Sequence, residues 1–226
     1  MSTRVRLIIA AALCLAVAAG VVLAVNATQS TPADTGTGTG TRVAFYGDSY
    51  TLGTGASEPS KRWSTIVSRE RNWNEFNPSV NGLGFINNRA DIGGDNDLPT
   101  LVIESKPQIV FVTMGLNDNF SYDYSSARID AQITADFERL KTALPDARFI
   151  VVEPFWYTDE RPTSLGVISR WVEAAAADIG ADYIPGASHW IEGHPEWMAA
   201  DGLHPNDDGY AAMAERMDAE LTKLGL

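Results

Sequence analysis

The sequence predicts an α/β protein, a three-layer α/β/α sandwich built on a central and mainly parallel sheet. Short runs of apolar, β-branched residues alternate along the chain with longer segments whose apolar residues recur every three or four positions. Strands that alternate with helices pair in parallel and are joined by right-handed crossovers. Polar residues follow two of the predicted strands directly, which indicates a ligand site at the carboxyl edge of the sheet.

The first two predicted strands bring two candidate site residues to that edge. Residues 42–46 form a short apolar run that ends just before Ser49, and helix-type sequence follows over residues 61–71. The run at 108–114 is apolar and β-branched and lies between a proline and a glycine, which is typical of a buried central strand. It ends just before Asn117, so Ser49 and Asn117 are both predicted at the carboxyl ends of strands.

The second half of the chain continues the alternation. Residues 125–144 have helical spacing, with apolar residues three and four positions apart and a proline directly after the end. This helix is expected to cover one face of the sheet. The later elements are a strand at 148–154, a helix at 165–179, a short strand at 182–184 and a closing helix at 205–224.

The first 27 residues predict export across a membrane. Arg4 and Arg6 precede an uncharged run of 19 residues, Leu7–Val25, and Val25-Asn26-Ala27 suits a cleavage site. Because such a run is also just long enough to cross a bilayer, two alternatives stay open: a cleaved signal peptide and a retained N-terminal membrane anchor. In both cases the rest of the chain lies outside the cytoplasm, either secreted or anchored to the outer side of the cytoplasmic membrane.

Composition constrains the chain after the export segment. Residues 28–41 are rich in Thr and Gly and predict a flexible linker, and residues 42–226 are long enough for one domain with a substantial core. The only cysteine, Cys14, lies in the export segment, so the domain has neither disulfides nor a thiol nucleophile. The formal net charge of −12 argues against nucleic acids and anionic lipid surfaces as partners.

Three polar motifs, far apart in the chain, supply the groups of one reaction centre. They are Gly47-Asp48-Ser49, Gly115-Leu116-Asn117-Asp118 and Asp201-Gly202-Leu203-His204. A serine alcohol is a poor nucleophile at neutral pH, so it needs a histidine to take its proton and a carboxylate to hold that histidine. The order serine, aspartate, histidine along the chain fits a layered α/β hydrolase.

Four residues of these motifs have predicted roles in catalysis. Ser49 is the candidate nucleophile, His204 the base, and Asp201 the carboxylate that orients the histidine ring. The side-chain amide of Asn117 and the backbone N–H of Ser49 are candidate donors to the oxyanion that forms on the substrate.

The three motifs resemble those of the SGNH hydrolases, also called the GDSL esterase and lipase family. Residues 47–53 follow the first block of the family, residues 115–118 the third and residues 201–205 the last. The resemblance covers residues 42–210. It implies a five-stranded, flavodoxin-like sheet and carboxylic ester substrates, including acetylated sugars and lipids.

The second block of the family brings a glycine whose backbone N–H faces the oxyanion. Here the corresponding stretch is Val80–Phe85, which contains two glycines. Gly82 is the favoured donor and Gly84 is the alternative. With Ser49 and Asn117, one of these glycines would complete the oxyanion hole.

Several other polar residues are expected to be structural. Asp48 and Asp118 are expected to hold their loops by accepting backbone N–H bonds. His189 and His194 lie close together, but a metal site would need more ligands at suitable spacing than this stretch shows. Residues 91–97 lack the regular ligand spacing of a calcium loop and are expected to form a solvated loop. No metal or other cofactor is therefore expected.

Two groups of aromatic residues follow predicted strands and are candidates for the rim of the active site. There they would stack on sugar rings or line an acyl groove, and packing beneath long loops is the equally weighted alternative. The groups are Phe155, Trp156 and Tyr157, and Phe120, Tyr122 and Tyr124.

The leading hypothesis is an exported serine esterase that hydrolyses carboxylic (acyl or acetyl) esters through a Ser-His-Asp triad and an acyl-enzyme on Ser49. Its substrate would be a small-molecule, glycan or lipid ester. An acyltransferase that uses a glycan or sugar hydroxyl in place of water is the alternative. A non-catalytic binding module of the cell envelope ranks last, because no central catalytic residue is missing. The sequence does not predict the oligomeric state.

Overall fold

A computed structural model describes residues 40–92 and 97–226 and confirms the predicted sheet. All strand pairs are parallel, and the strands lie in the order β2-β1-β3-β4-β5. The five strands are β1 (Arg42–Gly47), β2 (Asn74–Phe76), β3 (Ile109–Thr113), β4 (Arg148–Val152) and β5 (Asp182–Ile184).

Seven α-helices accompany the sheet in the described ranges. Four of them match the predicted helices to within a few residues, as is usual for helix boundaries. The helices are α1 (Ser49–Leu52), α2 (Trp63–Glu70), α3 (Arg89–Ile92), α4 (Leu98–Glu104), α5 (Tyr122–Ala143), α6 (Thr163–Asp178) and α7 (Asp207–Lys223).

Two hydrophobic cores, one on each face of the sheet, form the three-layer sandwich. In β1, Val43 and Phe45 pack into one core, whereas Ala44 and Tyr46 pack into the other. Helices α2 and α7 cover the first face, and α4, α5 and α6 cover the second. Because the central strands are buried on both faces, they appear in the sequence as continuous apolar runs rather than as alternating ones.

Strand β2 was not predicted, because it has only three residues and two of them are polar. It consists of Asn74, Glu75 and Phe76 at the edge of the sheet. Glu75 is buried and forms an ion pair with the buried Arg62, with 3.1 Å between Nη2 and Oε1. A buried carboxylate in a strand requires such a partner, which local sequence patterns do not reveal.

The prediction of a solvated loop over residues 91–97 was wrong at both of its described ends. Residues 91 and 92 belong to helix α3, and Asp97 caps the N-terminus of α4 by accepting a bond from the Thr100 N–H at 3.1 Å. Asp97 also pairs with Arg89 at 3.1 Å and with Arg139 at 2.8 Å. Helix capping and two ion pairs, rather than solvent, therefore hold this carboxylate.

The order of the strands determines where the site lies. In the register between β1 and β3, Gly47 is the partner of Thr113, so the segments after these strands leave the sheet side by side. Strand β2 lies on the other side of β1, and the stretch containing Gly82 follows it. Ser49, Gly82 and Asn117 thus follow the carboxyl ends of three adjacent strands, as expected for a ligand site in a parallel sheet.

The predicted signal peptide or anchor, residues 1–27, and all but the last two residues of the linker at 28–41 lie outside the described residues. Within the ranges 40–92 and 97–226, no helix is both long and apolar enough to cross a membrane.

Candidate active site

Ser49 is the first residue of helix α1, in a sharp turn after β1. Asp48 is the N-cap of this helix, and its Oδ1 accepts a bond from the Tyr50 N–H at 3.0 Å. The predicted role of Asp48, holding its loop through a backbone N–H, is confirmed. The Ser49 residue is only 4% exposed, and its side chain makes no hydrogen bond to any described residue, so no contact within the described ranges occupies its hydroxyl.

Side chains from other elements also hold the carbonyl groups of α1. The Trp63 indole N–H donates to Tyr50 O at 3.1 Å, and the Asn77 amide donates to Thr51 O at 2.8 Å. These carbonyls lack partners within a one-turn helix, so the side-chain donors satisfy them and fix the turn that carries Ser49.

His204 and Asp201, the candidate base and its candidate orienting carboxylate, form the predicted hydrogen-bonded pair. His204 Nδ1 lies 2.7 Å from Asp201 Oδ2, and Asp201 Oδ1 accepts bonds from the N–H groups of Leu203 and His204 at 2.9 and 3.0 Å. Burial raises the pKa of Asp201, but the hydrogen bonds from the His204 ring and from the backbone outweigh that effect and lower the pKa to about 2. Asp201 is therefore ionised at neutral pH and fixes the ring with Nε2 directed away from it.

The loop of residues 201–205, named the base loop here after the candidate base His204, packs against the segment that carries Ser49. The ring centroids of Tyr50 and His204 are 6.0 Å apart, and the Tyr50 hydroxyl donates to Leu203 O at 2.7 Å. Gly55 has a φ of +95°, and a Cβ there would lie 2.4 Å from Pro205 O and 3.1 Å from His204 Cβ. Only glycine allows the chain after α1 to approach the base loop this closely.

No hydrogen bond joins the Ser49 hydroxyl to the His204 ring in the described part of the chain. Such bonds are often long before substrate binds and tighten in the complex. The structure therefore shows the Asp201–His204 pair beside Tyr50, the residue after Ser49, and the triad stays a prediction.

The candidate oxyanion donors differ in whether their backbone N–H groups already donate to an acceptor in the protein. Among the described residues, the backbone N–H groups of Ser49 and Gly82 have no acceptor, whereas the Gly84 N–H donates to Asn87 O at 2.9 Å. A Cβ at Gly84 would lie 2.6 Å from three atoms of the Asp118 carboxyl group. Gly84 is therefore required for close packing on Asp118, and Gly82 is the better candidate for the oxyanion hole.

Asp118 fixes the segment that carries these glycines. Its carboxylate is fully buried and accepts N–H bonds from Phe85, Ile86 and Asn87 at 2.7, 2.8 and 3.2 Å. Burial raises the pKa of Asp118, against the lowering effect of these three bonds. Its predicted role as a structural acceptor of backbone N–H groups is confirmed.

Asn117 is held by a contact that the sequence did not indicate. Its Nδ2 donates to Leu83 O at 3.0 Å and to Asp48 Oδ2 at 3.3 Å. Asp48 therefore links the turn that carries Ser49 to the side chain of Asn117. The bond to Asp48 is the longer of the two. The sequence has no local signal for this pair, because 69 positions separate the two residues.

The environment of Asp48 raises its pKa above the usual range of an aspartate. Burial raises the pKa of Asp48 to about 7, the Tyr50 N–H bond opposes this, and the nearby charge of Asp118 adds to it. In the unfolded chain an aspartate titrates near pH 4, so between about pH 4 and pH 7 the folded protein binds more protons than the unfolded chain. The contribution of Asp48 to stability therefore falls as the pH rises through this range.

Asp48→Asn is accordingly expected to flatten the dependence of stability on pH. Each unit of pKa shift corresponds to about 1.4 kcal/mol, so the variant should remove at most about 4 kcal/mol of the fall in the free energy of unfolding. Urea unfolding of wild type and variant at both ends of the range measures this difference. Identical pH slopes for the two proteins would contradict the raised pKa of Asp48.

The other two histidines lie in surface contacts. His189 Nδ1 lies 2.6 Å from Glu192 Oε2, and His194 stacks on Trp197 with 3.6 Å between ring centroids. Across residues 40–92 and 97–226, no three side chains of His, Cys, Asp or Glu group as metal ligands would.

The two aromatic groups differ in exposure. Phe155 and Trp156 are buried, and Phe155 stacks on Tyr50 at 5.7 Å, so packing beneath loops is the role of these two. Phe120 and Tyr124 are 51% and 77% exposed on the segment that follows Asn117.

Comparison with known proteins identifies the family. The sequence matches the GDSL-like Lipase/Acylhydrolase family over residues 45–212, a range that contains all three polar motifs. The chain belongs to this family. As a GDSL hydrolase of the SGNH type, it is an enzyme that acts on ester bonds.

Curated relatives cover most of this GDSL hydrolase. A GDSL lipase of Mycobacterium tuberculosis is 28% identical over 77% of this chain and 79% of its own length. The thioesterase 1/protease 1/lysophospholipase L1 of Escherichia coli K12 is 26% identical over 80% of this chain and 84% of its own length.

Solved structures share the fold. The crystal structure of TesA has a TM-score of 0.66 at 20% identity and covers 81% of this chain and 99% of its own. The esterase EstA from a Pseudoalteromonas species has a TM-score of 0.64 at 16% identity and covers 82% of this chain and 98% of its own. These similarities establish the α/β architecture of the GDSL hydrolase.

Proposed function

We propose that this protein is an exported serine esterase that hydrolyses acyl or acetyl esters through an acyl-enzyme on Ser49. One observation carries the proposal: the hydrogen-bonded pair Asp201–His204 is held against Tyr50, the residue directly after Ser49. A serine beside such a pair has both a proton acceptor and an orienting carboxylate.

Hydrolysis would proceed in two steps. In the first, His204 takes the proton of the Ser49 hydroxyl while Oγ attacks the carbonyl carbon, and the histidine then returns the proton to the departing alcohol. This leaves the acyl group bound to Ser49 Oγ. In the second, His204 takes a proton from water, the hydroxide attacks the acyl carbon, and Ser49 leaves with its proton restored.

Three donors would stabilise the negative charge that develops on the carbonyl oxygen. The N–H groups of Ser49 and Gly82 have no acceptor among the described residues, so neither must break a protein bond to meet the oxyanion. The Asn117 amide would exchange its 3.3 Å contact with Asp48 for the oxyanion. Donors fixed in advance contribute most to such stabilisation.

Asn117→Ala is expected to lower kcat by about 10²- to 10³-fold because the oxyanion loses one of these donors. Steady-state kinetics with a short nitrophenyl ester measures the loss. Asn119→Ala is a matched control, since Asn119 lies in the same short turn, Asn117–Ser121, and its side chain contacts Ser164 instead. An unchanged kcat in Asn117→Ala would remove Asn117 from the oxyanion hole.

The names of the relatives support an ester substrate but differ in the group to which the acyl chain is attached. A curated relative is named as a lipase, another as a thioesterase and lysophospholipase, and a structural neighbour as an acetyl-xylooligosaccharide esterase. We therefore propose a small-molecule, glycan or lipid ester as the substrate class. A series of esters graded in acyl length and alcohol would select among these.

Labelling with a fluorophosphonate tests the proposed nucleophile. The reagent should modify a single serine, and peptide mapping should identify it as Ser49. A label on another serine would overturn the assignment. Product analysis with an added polyol would detect acyl transfer in place of hydrolysis, since transfer yields an acylated polyol instead of free acid.

Export is proposed from the N-terminal segment. Arg4 and Arg6 before the uncharged run Leu7–Val25 support it. Cell fractionation followed by intact mass measurement would separate the two alternatives: a mature chain beginning at residue 28 in the medium indicates cleavage, and a full-length chain in the membrane fraction indicates an anchor. Protein confined to the cytoplasm would contradict export.

A further inference from the structure

The Tyr50 side chain forms a hydrogen bond that connects the turn carrying Ser49 with the base loop. Its hydroxyl donates to Leu203 O at 2.7 Å, across 153 positions of sequence. The side chain is 1% exposed, so water is not available as a substitute partner. Because a buried hydroxyl without a partner is unfavourable, this bond holds the two segments together.

The accepting carbonyl belongs to the peptide group that precedes His204. The N–H of the same peptide group donates to Asp201 Oδ1 at 3.0 Å, while Asp201 Oδ2 bonds the His204 ring. Asp201 therefore holds this peptide plane from one side and Tyr50 holds it from the other. The orientation of the plane fixes the direction in which the His204 side chain leaves the backbone.

Tyr50 is itself held at three points. Its N–H donates to Asp48 Oδ1 at 3.0 Å, its carbonyl accepts the Trp63 indole N–H at 3.1 Å, and its ring stacks on Phe155 at 5.7 Å with 17° between the planes. The hydroxyl is therefore presented by a fixed backbone and a fixed ring. Asp201, by contrast, has a side chain that is 47% exposed, so Tyr50 is the buried one of the two side chains that hold this peptide plane.

We propose that Tyr50 is a positioning residue for ester hydrolysis, whose hydroxyl sets the His204 ring at the distance and angle needed to reach Ser49 Oγ. The inference rests on the proposed roles of Ser49 and His204. Displacement of a catalytic group by about 1 Å costs on the order of 10²-fold in rate. The bond from Tyr50 thus acts through His204 and does not touch the substrate.

Tyr50→Phe tests this role, because it removes the hydroxyl and keeps the ring that packs on Phe155. We expect kcat to fall by about 10- to 100-fold, with KM within about twofold of wild type, since ground-state binding is unaffected. The rate of fluorophosphonate labelling at Ser49 should fall in parallel, because it also requires the base.

Tyr210→Phe is the matched control. The Tyr210 hydroxyl is also buried and also donates to a backbone carbonyl, Thr54 O at 2.8 Å, which lies outside the base loop. Both variants should lower the urea midpoint of unfolding by similar amounts, and only Tyr50→Phe should lose kcat. The assays are run at a temperature at which both variants show the far-UV circular dichroism of the wild type.

Two outcomes would overturn the positioning role: a kcat of Tyr50→Phe equal to that of wild type, or an equal loss of kcat in Tyr210→Phe. Ser49→Ala, measured in the same series, separates this inference from the proposed function. If Ser49→Ala is inactive while Tyr50→Phe is fully active, only the role of Tyr50 is wrong. If Ser49→Ala remains active, the proposed mechanism is wrong.

Discussion

Ser49→Ala is expected to lower kcat for a short nitrophenyl ester by about 10⁴- to 10⁶-fold. Without the hydroxyl no acyl-enzyme can form, and the remaining activity would come from the oxyanion donors and from substrate binding alone. The fold should be unaffected, because the Ser49 side chain makes no hydrogen bond to the described residues. Steady-state kinetics together with urea unfolding measures both parts of this expectation.

Ser68→Ala provides the control for Ser49→Ala. Ser68 is also a buried serine at the N-terminal side of the domain, in helix α2, and its hydroxyl has no hydrogen-bond partner among the described residues. Its removal should leave kcat unchanged and should not destabilise the protein, because an unsatisfied buried hydroxyl contributes nothing favourable. Wild-type turnover by Ser49→Ala would rule out the proposed nucleophile.

His204→Ala should cost nearly as much as the loss of the nucleophile. A serine whose proton has no acceptor is a poor nucleophile, so we expect kcat to fall by about 10⁴- to 10⁶-fold. The two residues act as a unit, so the double variant Ser49→Ala/His204→Ala should be no less active than either single variant. A fold loss of kcat in the double variant that equals the product of the two single fold losses would show that the two residues act independently.

Two further variants test whether His204 acts through the proposed triad. Asp201→Asn keeps the shape of the side chain but removes the charge that holds the ring, and it should lower kcat by about 10⁴-fold. His189→Ala should leave kcat unchanged, because His189 contacts Glu192 and Arg161 on another surface segment. A loss of activity in His189→Ala comparable to that in His204→Ala would contradict the assignment of the base.

The sequence predicts those strands and helices whose burial produces a local pattern of apolar residues. Strands β1, β3 and β4 are buried on both faces and therefore appear as apolar runs, and α5 shows its buried face through residues such as Ile129 and Phe137. Strand β2 and helix α4 could not be predicted in this way. The buried Glu75 depends on Arg62, and the N-cap of α4 is Asp97, whose ion-pair partners Arg89 and Arg139 lie elsewhere in the chain.

In the candidate site, too, some residues are indicated by the sequence alone and others only by the structure. The motifs indicated Ser49, Asn117, Asp201 and His204 because reactive groups of these types are recognisable by identity and order alone. The choice between the two glycines required the structure, since the Gly84 N–H is engaged by Asn87 and its Cα faces Asp118.

The sequence by itself determined the layered α/β class, the positions of the strands that carry the motifs, and the identity of the candidate catalytic residues. These follow from periodicity and residue type, which are local properties. Only the tertiary structure decided that Asp48 contacts Asn117 across 69 positions and that Tyr50 contacts the Leu203 carbonyl across 153. The physical reason is that a hydrogen bond between distant segments depends on how the elements pack, and a single sequence carries no local trace of it.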